Sequence, residues 1–178
     1  MTGSPALVVR DATPNDAPAC AAIYAPYVTS TATSFEAVPP TPDEMAGRIA
    51  AAQASHAWLV GERDGEVVGY AYGSQFRARE AYRWSCETSV YLRTGVRRTG
   101  AGRALYTALL ERLAGRGFRR AFAGVTVPNE ASLGLHHALG FTDVGVFRGV
   151  GFKDGRWHDV AWLQLSLGPD ETPPTPLR

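Results

Sequence analysis

RRTGAGRALY, which runs from Arg97 to Tyr106, places two arginines and two glycines directly before a helix-forming run. The segment in front of it, WSCETSVYLR, is rich in aromatic and β-branched residues and predicts a strand. The helix is predicted from about Ala101 to Arg116, with Gly117 ending it. A strand, a glycine-containing loop and a helix in this order favour a phosphate site. The first N–H groups of a helix lack partners, and glycines let an anion come close.

Three kinds of phosphate ligand compete for this loop. A P-loop requires Gly-Lys-Ser or Gly-Lys-Thr, and the sequence contains no such triplet. A dinucleotide fingerprint requires a third glycine three residues after Gly102, where the sequence has Leu105. Coenzyme A, which carries a pyrophosphate and a long pantetheine arm, remains.

The predicted elements follow the order β-α-α-β-β-β-α-β-α-β-β. Helices are predicted to start at Thr13 and at Thr41, each followed by a proline, and Pro26 is expected to end or kink the first helix. Hairpin turns are predicted at Asp64-Gly65 and Asp154-Gly155. Hairpins at both ends and helical crossovers in the middle predict an α+β fold, in which a mixed, mostly antiparallel twisted sheet is flanked by about four helices.

The length of 178 residues suits one domain with a substantial core. We expect a single domain over residues 1–167. The last residues, 168–178, read GPDETPPTPLR and predict a proline-rich, flexible tail.

Composition limits the partners and the compartment. The formal net charge is only +1, so we expect neither nucleic acid nor a membrane as partner. No apolar run approaches the roughly 20 residues of a membrane span, and MTGSPALVVRDA at the N-terminus lacks the regions of a signal peptide. Cys20 and Cys86 do not make a disulfide framework. A reduced, cytoplasmic setting is therefore expected.

The loop motif RRTGAG also fits the Arg/Gln-x-x-Gly-x-Gly/Ala signature of the GNAT superfamily of N-acetyltransferases, and the predicted element order is similar to that fold. Within the superfamily, the chain resembles the phosphinothricin and methionine sulfoximine acetyltransferases from Val8 to Leu167. The motifs that carry this resemblance are FRAREAYRW, CETSVYL, RRTGAGRALYTALL, PNEASLGLHHALGF and GFKDGRWHDVAWLQL. Several of them belong to this branch rather than to the superfamily as a whole.

The resemblance implies acetyl-CoA as cosubstrate and a set of residues that bind it. The pyrophosphate would lie on the loop backbone, and the pantetheine arm would pair with the preceding strand as an added strand does. An asparagine that opens the next helix would lie near the arm, with a simple helix cap as the alternative. The residues so implied are Val90, Tyr91, Leu92, Arg98, Thr99, Gly100, Ala101, Gly102, Arg103 and Asn129.

Glu87 is the predicted general base. Acetylation of an amine requires loss of the ammonium proton, directly or through water. A lone glutamate in an otherwise uncharged, strongly β-forming segment is unusual, because burying a carboxylate without a partner is costly. Strand alternation puts Glu87, Ser89 and Tyr91 on one face and Cys86 on the other. Glu87 also matches the acidic residue of the branch; a solvated surface charge is the alternative.

His136 is the second catalytic candidate. It stands four residues before the Gly-Phe pair, where many superfamily members carry a tyrosine that can protonate the departing thiolate, and the branch resembles this chain in using histidine there. The alternative is a core histidine that only orients substrate or water. His137 is expected to face elsewhere. Because adjacent histidines chelate one ion poorly, we predict no metal.

The acceptor would be a small-molecule amino acid whose carboxylate an arginine can grip. Arg77 and Arg79 match a basic pair of the branch, and Tyr82 and Phe35 could form walls for a methylene chain. The resemblance implies phosphinothricin, methionine sulfoximine or methionine sulfone as acceptor, and a homodimer. Two alternatives stay open: acetylation of a protein N-terminus, lysine or other amine, and a non-catalytic acyl-CoA sensor.

Overall fold

The computed structural model describes residues 6–96, 99–170 and 173–178. Over these residues the chain forms four α-helices and seven strands. In chain order they are β1 (Val8–Asp11), α1 (Ala17–Thr29), α2 (Pro42–Ser55), β2 (Ala57–Arg63), β3 (Glu66–Gln75), β4 (Ser85–Leu92), α3 (Ala101–Gly115), β5 (Arg120–Val127), α4 (Glu130–Ala138), β6 (Thr142–Lys153) and β7 (Arg156–Ser166). The predicted element order and the α+β class are both confirmed.

The strands form one sheet in the order β1-β2-β3-β4-β5-β7-β6. Five of the neighbouring pairs are antiparallel, and β4 with β5 is the parallel pair. The parallel pair is joined through α3, as a parallel connection requires a crossover. The change from antiparallel to parallel pairing therefore falls at the middle of the sheet.

Helices cover the two faces of the sheet with separate apolar clusters. On what we call the front face, α1 and α2 pack on side chains such as Trp58 and Tyr70. On the back face, α3 packs on side chains such as Cys86 and Ala121, with apolar residues of α4 at its margin. The strands in the middle of the sheet are thus covered on both faces, and this burial fixes their pairing register.

Local signals in the sequence account for most element boundaries. Thr41 and Glu44 form a reciprocal capping box at the start of α2, with Glu44 N–H donating to Thr41 Oγ1 at 3.2 Å and Thr41 N–H to Glu44 Oε2 at 2.8 Å. Both predicted hairpin turns have left-handed φ angles at their two central residues. The first helix does not end at Pro26, because α1 continues past it to Thr29; a kink at this proline stays a prediction.

Within the described ranges, no helix is long and apolar enough to cross a membrane. The described end of the tail contacts the domain: Trp84 Nε1 donates to Thr175 O at 2.9 Å and Arg116 Nε to Arg178 O at 3.1 Å. The single domain over residues 1–167 and the flexibility of the tail stay predictions.

Candidate active site

β4 and β5 separate in the middle of the sheet. Their ladder contains Ser85 opposite Arg120, Cys86 opposite Ala121 and Glu87 opposite Phe122, and ends there. β4 nevertheless keeps its pairing with β3 as far as Leu92, and β5 keeps its pairing with β7 as far as Val127. We call the gap between residues 88–92 of β4 and 123–127 of β5 the strand opening.

The peptide groups of β4 that face the strand opening follow from its pairing with β3. Arg93 N–H donates to Val68 O at 2.9 Å, so hydrogen-bonded pairs recur every second residue from that point. Val90 and Leu92 therefore direct their N–H and C=O groups into the strand opening. Tyr91 directs its own toward β3, so the arm pairing predicted for Tyr91 is not available to its main chain.

One side chain already occupies part of this edge. The Tyr27 hydroxyl donates to Leu92 O at 2.7 Å and lies 3.4 Å from Leu92 N. Its ring packs edge-on against Tyr91, with centroids 5.0 Å apart. The N–H and C=O groups of Val90 are consequently more accessible from the strand opening than those of Leu92.

Glu87 lies on the front face at the mouth of the strand opening. In the ladders it stands opposite Ser74 on one side and Phe122 on the other. It is half-buried, and over the described residues its carboxylate makes no hydrogen bond or ion pair. Burial raises the pKa of this carboxyl group above its ordinary value, while the positive charge of Arg77 partly opposes the rise. A carboxylate in this state can accept a proton from an amine placed beside it.

A hydrogen-bonded chain lies behind the strand opening, on the back face. His136 Nε2 lies 3.0 Å from the Tyr106 hydroxyl, and that hydroxyl lies 2.6 Å from Thr88 Oγ1. At the other end, His136 Nδ1 lies 2.7 Å from Ser132 O, and Thr88 Oγ1 lies 3.2 Å from Phe122 O. Both ends of the chain are carbonyl oxygens, which only accept hydrogen bonds.

The protonation state of His136 sets the direction of this chain. Burial lowers the pKa of the imidazole and favours its neutral form. In that form Nδ1–H donates to Ser132 O, and Nε2 accepts from Tyr106, which accepts from Thr88. In the protonated form Nε2–H would donate to Tyr106, Tyr106 to Thr88, and Thr88 to Phe122 O. The chain can thus hold one extra proton while every donor keeps an acceptor.

Sequence reasoning found His136 but missed Tyr106 and Thr88. His136 is buried with both ring nitrogens engaged, so it acts on its surroundings through Tyr106. Tyr106 is fully buried in α3 at a position that the helical pattern marks only as apolar. His137 faces elsewhere, as predicted, with Nε2 2.9 Å from Asp143 Oδ1.

The start of α3 supports a phosphate ligand through its backbone. Gly100 has φ +77°, a left-handed angle that glycine adopts without strain, and a Cβ there would contact nothing within 4 Å. Gly100 O accepts the first helical bond, from Ala104 N–H, so the three N–H groups between them have no partner within the helix. Thr99 is exposed just before them. The predicted Arg98 lies outside the described residues.

Gly102, Arg103 and Asn129 have structural partners of their own. A Cβ at Gly102 would lie 3.4 Å from Leu92 Cδ1 and 3.6 Å from Leu135 Cδ2, which are ordinary packing distances. Arg103 Nη2 donates to Ala138 O at 3.2 Å, at the end of α4. Asn129 accepts from Ser132 N–H at 3.1 Å and is the N-cap of α4.

Three of the four predicted acceptor residues lie in the segment between β3 and β4. The Arg77 guanidinium lies 4.9 Å from the centroid of Phe76, and the ring of Tyr82 meets the same ring edge-on at 5.9 Å. Phe76 in turn stacks on Phe122, with centroids 4.1 Å apart, next to the ladder position of Glu87. Arg79 is exposed and caps the short turn that follows it.

Phe35, the fourth, approaches from another part of the fold. It lies in the α1–α2 segment, 43% exposed, with its ring against Gly151 and 6.1 Å from His158. A cavity of about 340 Å³ opens between α2 and β3 and is lined by residues that include Arg48, Tyr72 and Ser74. Tyr72 and Ser74 stand opposite Ser89 and Glu87 in the sheet, so the cavity lies on the same face as Glu87.

No group of three or more histidine, cysteine, aspartate or glutamate side chains is arranged for a metal ion in the part of the chain that the structure describes. Cys86, which is free and buried, lies on the face opposite Glu87, and burial raises the pKa of its thiol to about 12. A nucleophilic thiolate is therefore not available there.

Comparison with known proteins gives matches over nearly the whole chain. Residues 9–162 match the family described as "Acetyltransferase (GNAT) domain". The phosphinothricin N-acetyltransferase of Alcaligenes faecalis is 45% identical, over 93% of this chain and 83% of the relative. An L-methionine sulfoximine/L-methionine sulfone acetyltransferase of Pseudomonas aeruginosa is 37% identical, over 93% of this chain and 98% of the relative.

A solved structure is also similar over nearly the whole chain. The phosphinothricin acetyltransferase of Sinorhizobium meliloti, in complex with acetyl-CoA, superimposes with a TM-score of 0.89 at 37% identity. The match covers 97% of this chain and 94% of that one.

Proposed function

We propose, given that this chain belongs to the GNAT acetyltransferase family and is an N-acetyltransferase, that it acetylates the α-amino group of a small L-amino acid. Acetyl-CoA is the proposed donor, and phosphinothricin, methionine sulfoximine and methionine sulfone are the proposed acceptors. The names of the relatives support this choice of acceptor. The observation that carries the proposal is an unpartnered, half-buried Glu87 at the mouth of the strand opening.

The residues around the strand opening fit acetyl-CoA. Free N–H groups at the start of α3, where no side chain caps the helix, would hold the pyrophosphate. Peptide groups of Val90 at the strand opening would pair with the pantetheine amides, as in strand addition. Acetyl-CoA supplies the acetyl group as an activated thioester. A backbone N–H of β4 near Ser89 to Tyr91 that the pantetheine arm leaves free could stabilise the developing oxyanion.

Glu87 acts as the general base. It takes the proton of the acceptor's ammonium group, directly or through a water molecule, and so frees the lone pair that attacks. The raised pKa of the carboxyl group brings its proton affinity closer to that of the amine. The positive charge of Arg77 opposes part of that rise and so favours the deprotonated carboxylate.

Tyr106 and His136 supply the proton that the departing thiolate needs. The Tyr106 hydroxyl lies 3.5 Å from Thr88 O and so reaches the β4 backbone from α3. When His136 is protonated, a proton given up by Tyr106 is replaced from Nε2–H, which leaves His136 in the neutral form that burial favours. His136 is in this account a positioning residue that acts through Tyr106.

The acceptor lies on the front face. Arg77 and Arg79 bind its carboxylate or its phosphinate or sulfoximine end. Tyr82 and Phe35 line the path of its methylene chain. The cavity between α2 and β3 lies on the same face, and two of its lining residues, Tyr72 and Ser74, stand opposite Ser89 and Glu87.

A thiol-release assay with acetyl-CoA and a panel of amines tests the proposal. We expect turnover with phosphinothricin, methionine sulfoximine or methionine sulfone, and mass spectrometry should find the acetyl group on the α-amino nitrogen. Turnover with peptides or other amines alone would favour a different acceptor class. Binding of acetyl-CoA without turnover of any amine would favour a sensor. The homodimer and the cytoplasmic location stay predictions.

A further inference from the structure

Lys153, the last residue of β6, reaches into the segment between α1 and α2. Its ammonium group donates to three main-chain oxygens: Val28 O at 2.6 Å, Thr31 O at 2.9 Å and Ser34 O at 2.7 Å. An ammonium group has three donors, so all of them are used. Because Val28 belongs to the last turn of α1, the positive charge also lies where the helix dipole favours a cation.

Gly151, two residues earlier, makes room for the ring of Phe35. A Cβ built at Gly151 would overlap Cε2 and Cζ of that ring and lie 2.8 Å from Cδ2. Gly151 is not among the residues with positive φ, so its backbone conformation does not require glycine. The absence of a side chain at this position is therefore needed for space.

The segment is also held on the other side of Phe35. Arg48 binds Glu36 through two bonds of 2.7 Å and 2.9 Å, and the Tyr24 hydroxyl donates to Glu36 Oε1 at 2.9 Å. Tyr24 also lies 2.7 Å from Ser34 Oγ and can accept from it. Phe35 is thus the exposed residue between two anchored neighbours, and its ring keeps one position at low entropic cost on binding.

We propose that Lys153 and Gly151 are positioning residues that fix Phe35 as a wall of the acceptor site, so that the end of the β6–β7 hairpin sets acceptor affinity. The inference rests on the proposed function, because it needs an acceptor that contacts Phe35. The hairpin contributes no group to the chemistry. Its effect is on how the acceptor is held and not on acetyl-CoA.

Four single variants separate this role from a general loss of structure. Lys153→Met keeps the length of the side chain and removes its three donors, whereas Lys153→Arg keeps the charge. Gly151→Ala adds the overlapping Cβ. Gly145→Ala is the matched control on the same strand, since a Cβ there contacts nothing within 4 Å.

We expect Lys153→Met and Gly151→Ala to raise the KM of the acceptor by about tenfold, with kcat and the KM of acetyl-CoA within about twofold of wild type. Lys153→Arg should recover part of the loss, and Gly145→Ala should match the wild type. Gly151→Ala should add nothing in a Phe35→Ala background, because the ring that it displaces is gone.

Hydrogen exchange without substrate gives a second readout. Lys153→Met should speed exchange in residues 30–38 and leave the remaining sheet protected. Unchanged exchange, an equal rise in the KM of both substrates, or full additivity with Phe35→Ala would each overturn the proposal. If the wild type acetylates no amino acid, the proposed function and the acceptor role fail together, while exchange still decides whether Lys153 fixes the segment.

Discussion

Glu87 and His136 lie on opposite faces of the sheet, one on each side of the strand opening. Glu87 shares the front face with Tyr91, whereas His136 packs behind the sheet with Tyr106 and Phe141. A proton can therefore be removed from the acceptor on one face and returned to the thiol from the other. In the proposed mechanism the two groups serve different steps, and each can be tested without the other.

Tyr106→Phe removes one hydroxyl from the chain behind the strand opening and keeps the ring. We expect kcat to fall by about tenfold to a hundredfold, as loss of a proton donor does, while the KM of both substrates changes little. Steady-state kinetics with a thermal melt checks this. An unchanged kcat would assign the hydroxyl to packing alone.

Arg77→Gln should shift the pH dependence of the reaction. The carboxylate of Glu87 is the active form, so activity is lost as pH falls through its pKa. Arg77 lowers that pKa, and removing the charge must move the acid limb of kcat/KM to higher pH. Arg79→Gln is the matched control and should raise the acceptor KM without moving the limb. If the acid limb of kcat/KM stays at the same pH in Arg77→Gln, the assignment of Glu87 as general base is contradicted.

Asp16 should make stability depend on pH at the acid end. Arg10 donates to its two carboxylate oxygens at 2.8 Å and 2.9 Å, and these bonds lower the pKa of Asp16 to about 2. Because the folded-state pKa lies below the unfolded one, the stabilisation is complete above about pH 4 and is lost as pH falls toward 2.

Asp16→Asn should lower the free energy of unfolding at pH 7 by about 2 kcal/mol. Urea titrations at several pH values should show that the difference in free energy of unfolding between wild type and Asp16→Asn becomes smaller below pH 4. A gap that stays constant down to pH 3 would contradict this account. Asp43→Asn, at an exposed carboxylate, is the control and should show no comparable narrowing.

Gly100→Ala should destabilise the start of α3 and weaken acetyl-CoA binding. A side chain at φ +77° costs about 1 kcal/mol of stability and disturbs the N–H groups that follow. Gly115→Ala, in the same helix at a position with empty space, is the control and should leave acetyl-CoA binding unchanged with no loss of stability. Calorimetric titration with acetyl-CoA measures the difference. Equal affinity of the two variants for acetyl-CoA would contradict the assignment of the pyrophosphate site to this loop.

Much of the fold could be predicted because its signals are local. Thr41 and Glu44 specify a helix start within four residues, and Asp64-Gly65 specifies a hairpin by itself. Alternation alone put Glu87 and Cys86 on opposite faces, which the ladders confirm. Pro26 shows the limit of such signals, since α1 continues past it to Thr29.

The remainder of the site depends on residues far apart in sequence. Lys153 meets Ser34 across 119 positions and His136 meets Tyr106 across 30, and neither pair leaves a periodic pattern. The end of the β4–β5 ladder at Glu87 is likewise a property of pairing, which no single segment specifies. Sequence reasoning could therefore propose Glu87 as the base, but not the Tyr106 and Thr88 hydroxyls behind the strand opening or the contacts of Lys153.

The most direct test of the account is kcat of Glu87→Gln at neutral pH, with Glu66→Gln, an exposed carboxylate on β3, as control. We predict that Glu87→Gln lowers kcat by about a hundredfold or more, as removal of a general base does, while acetyl-CoA binds with wild-type affinity in calorimetry. A kcat equal to that of the wild type would contradict the central claim that this carboxylate takes the proton of the amine.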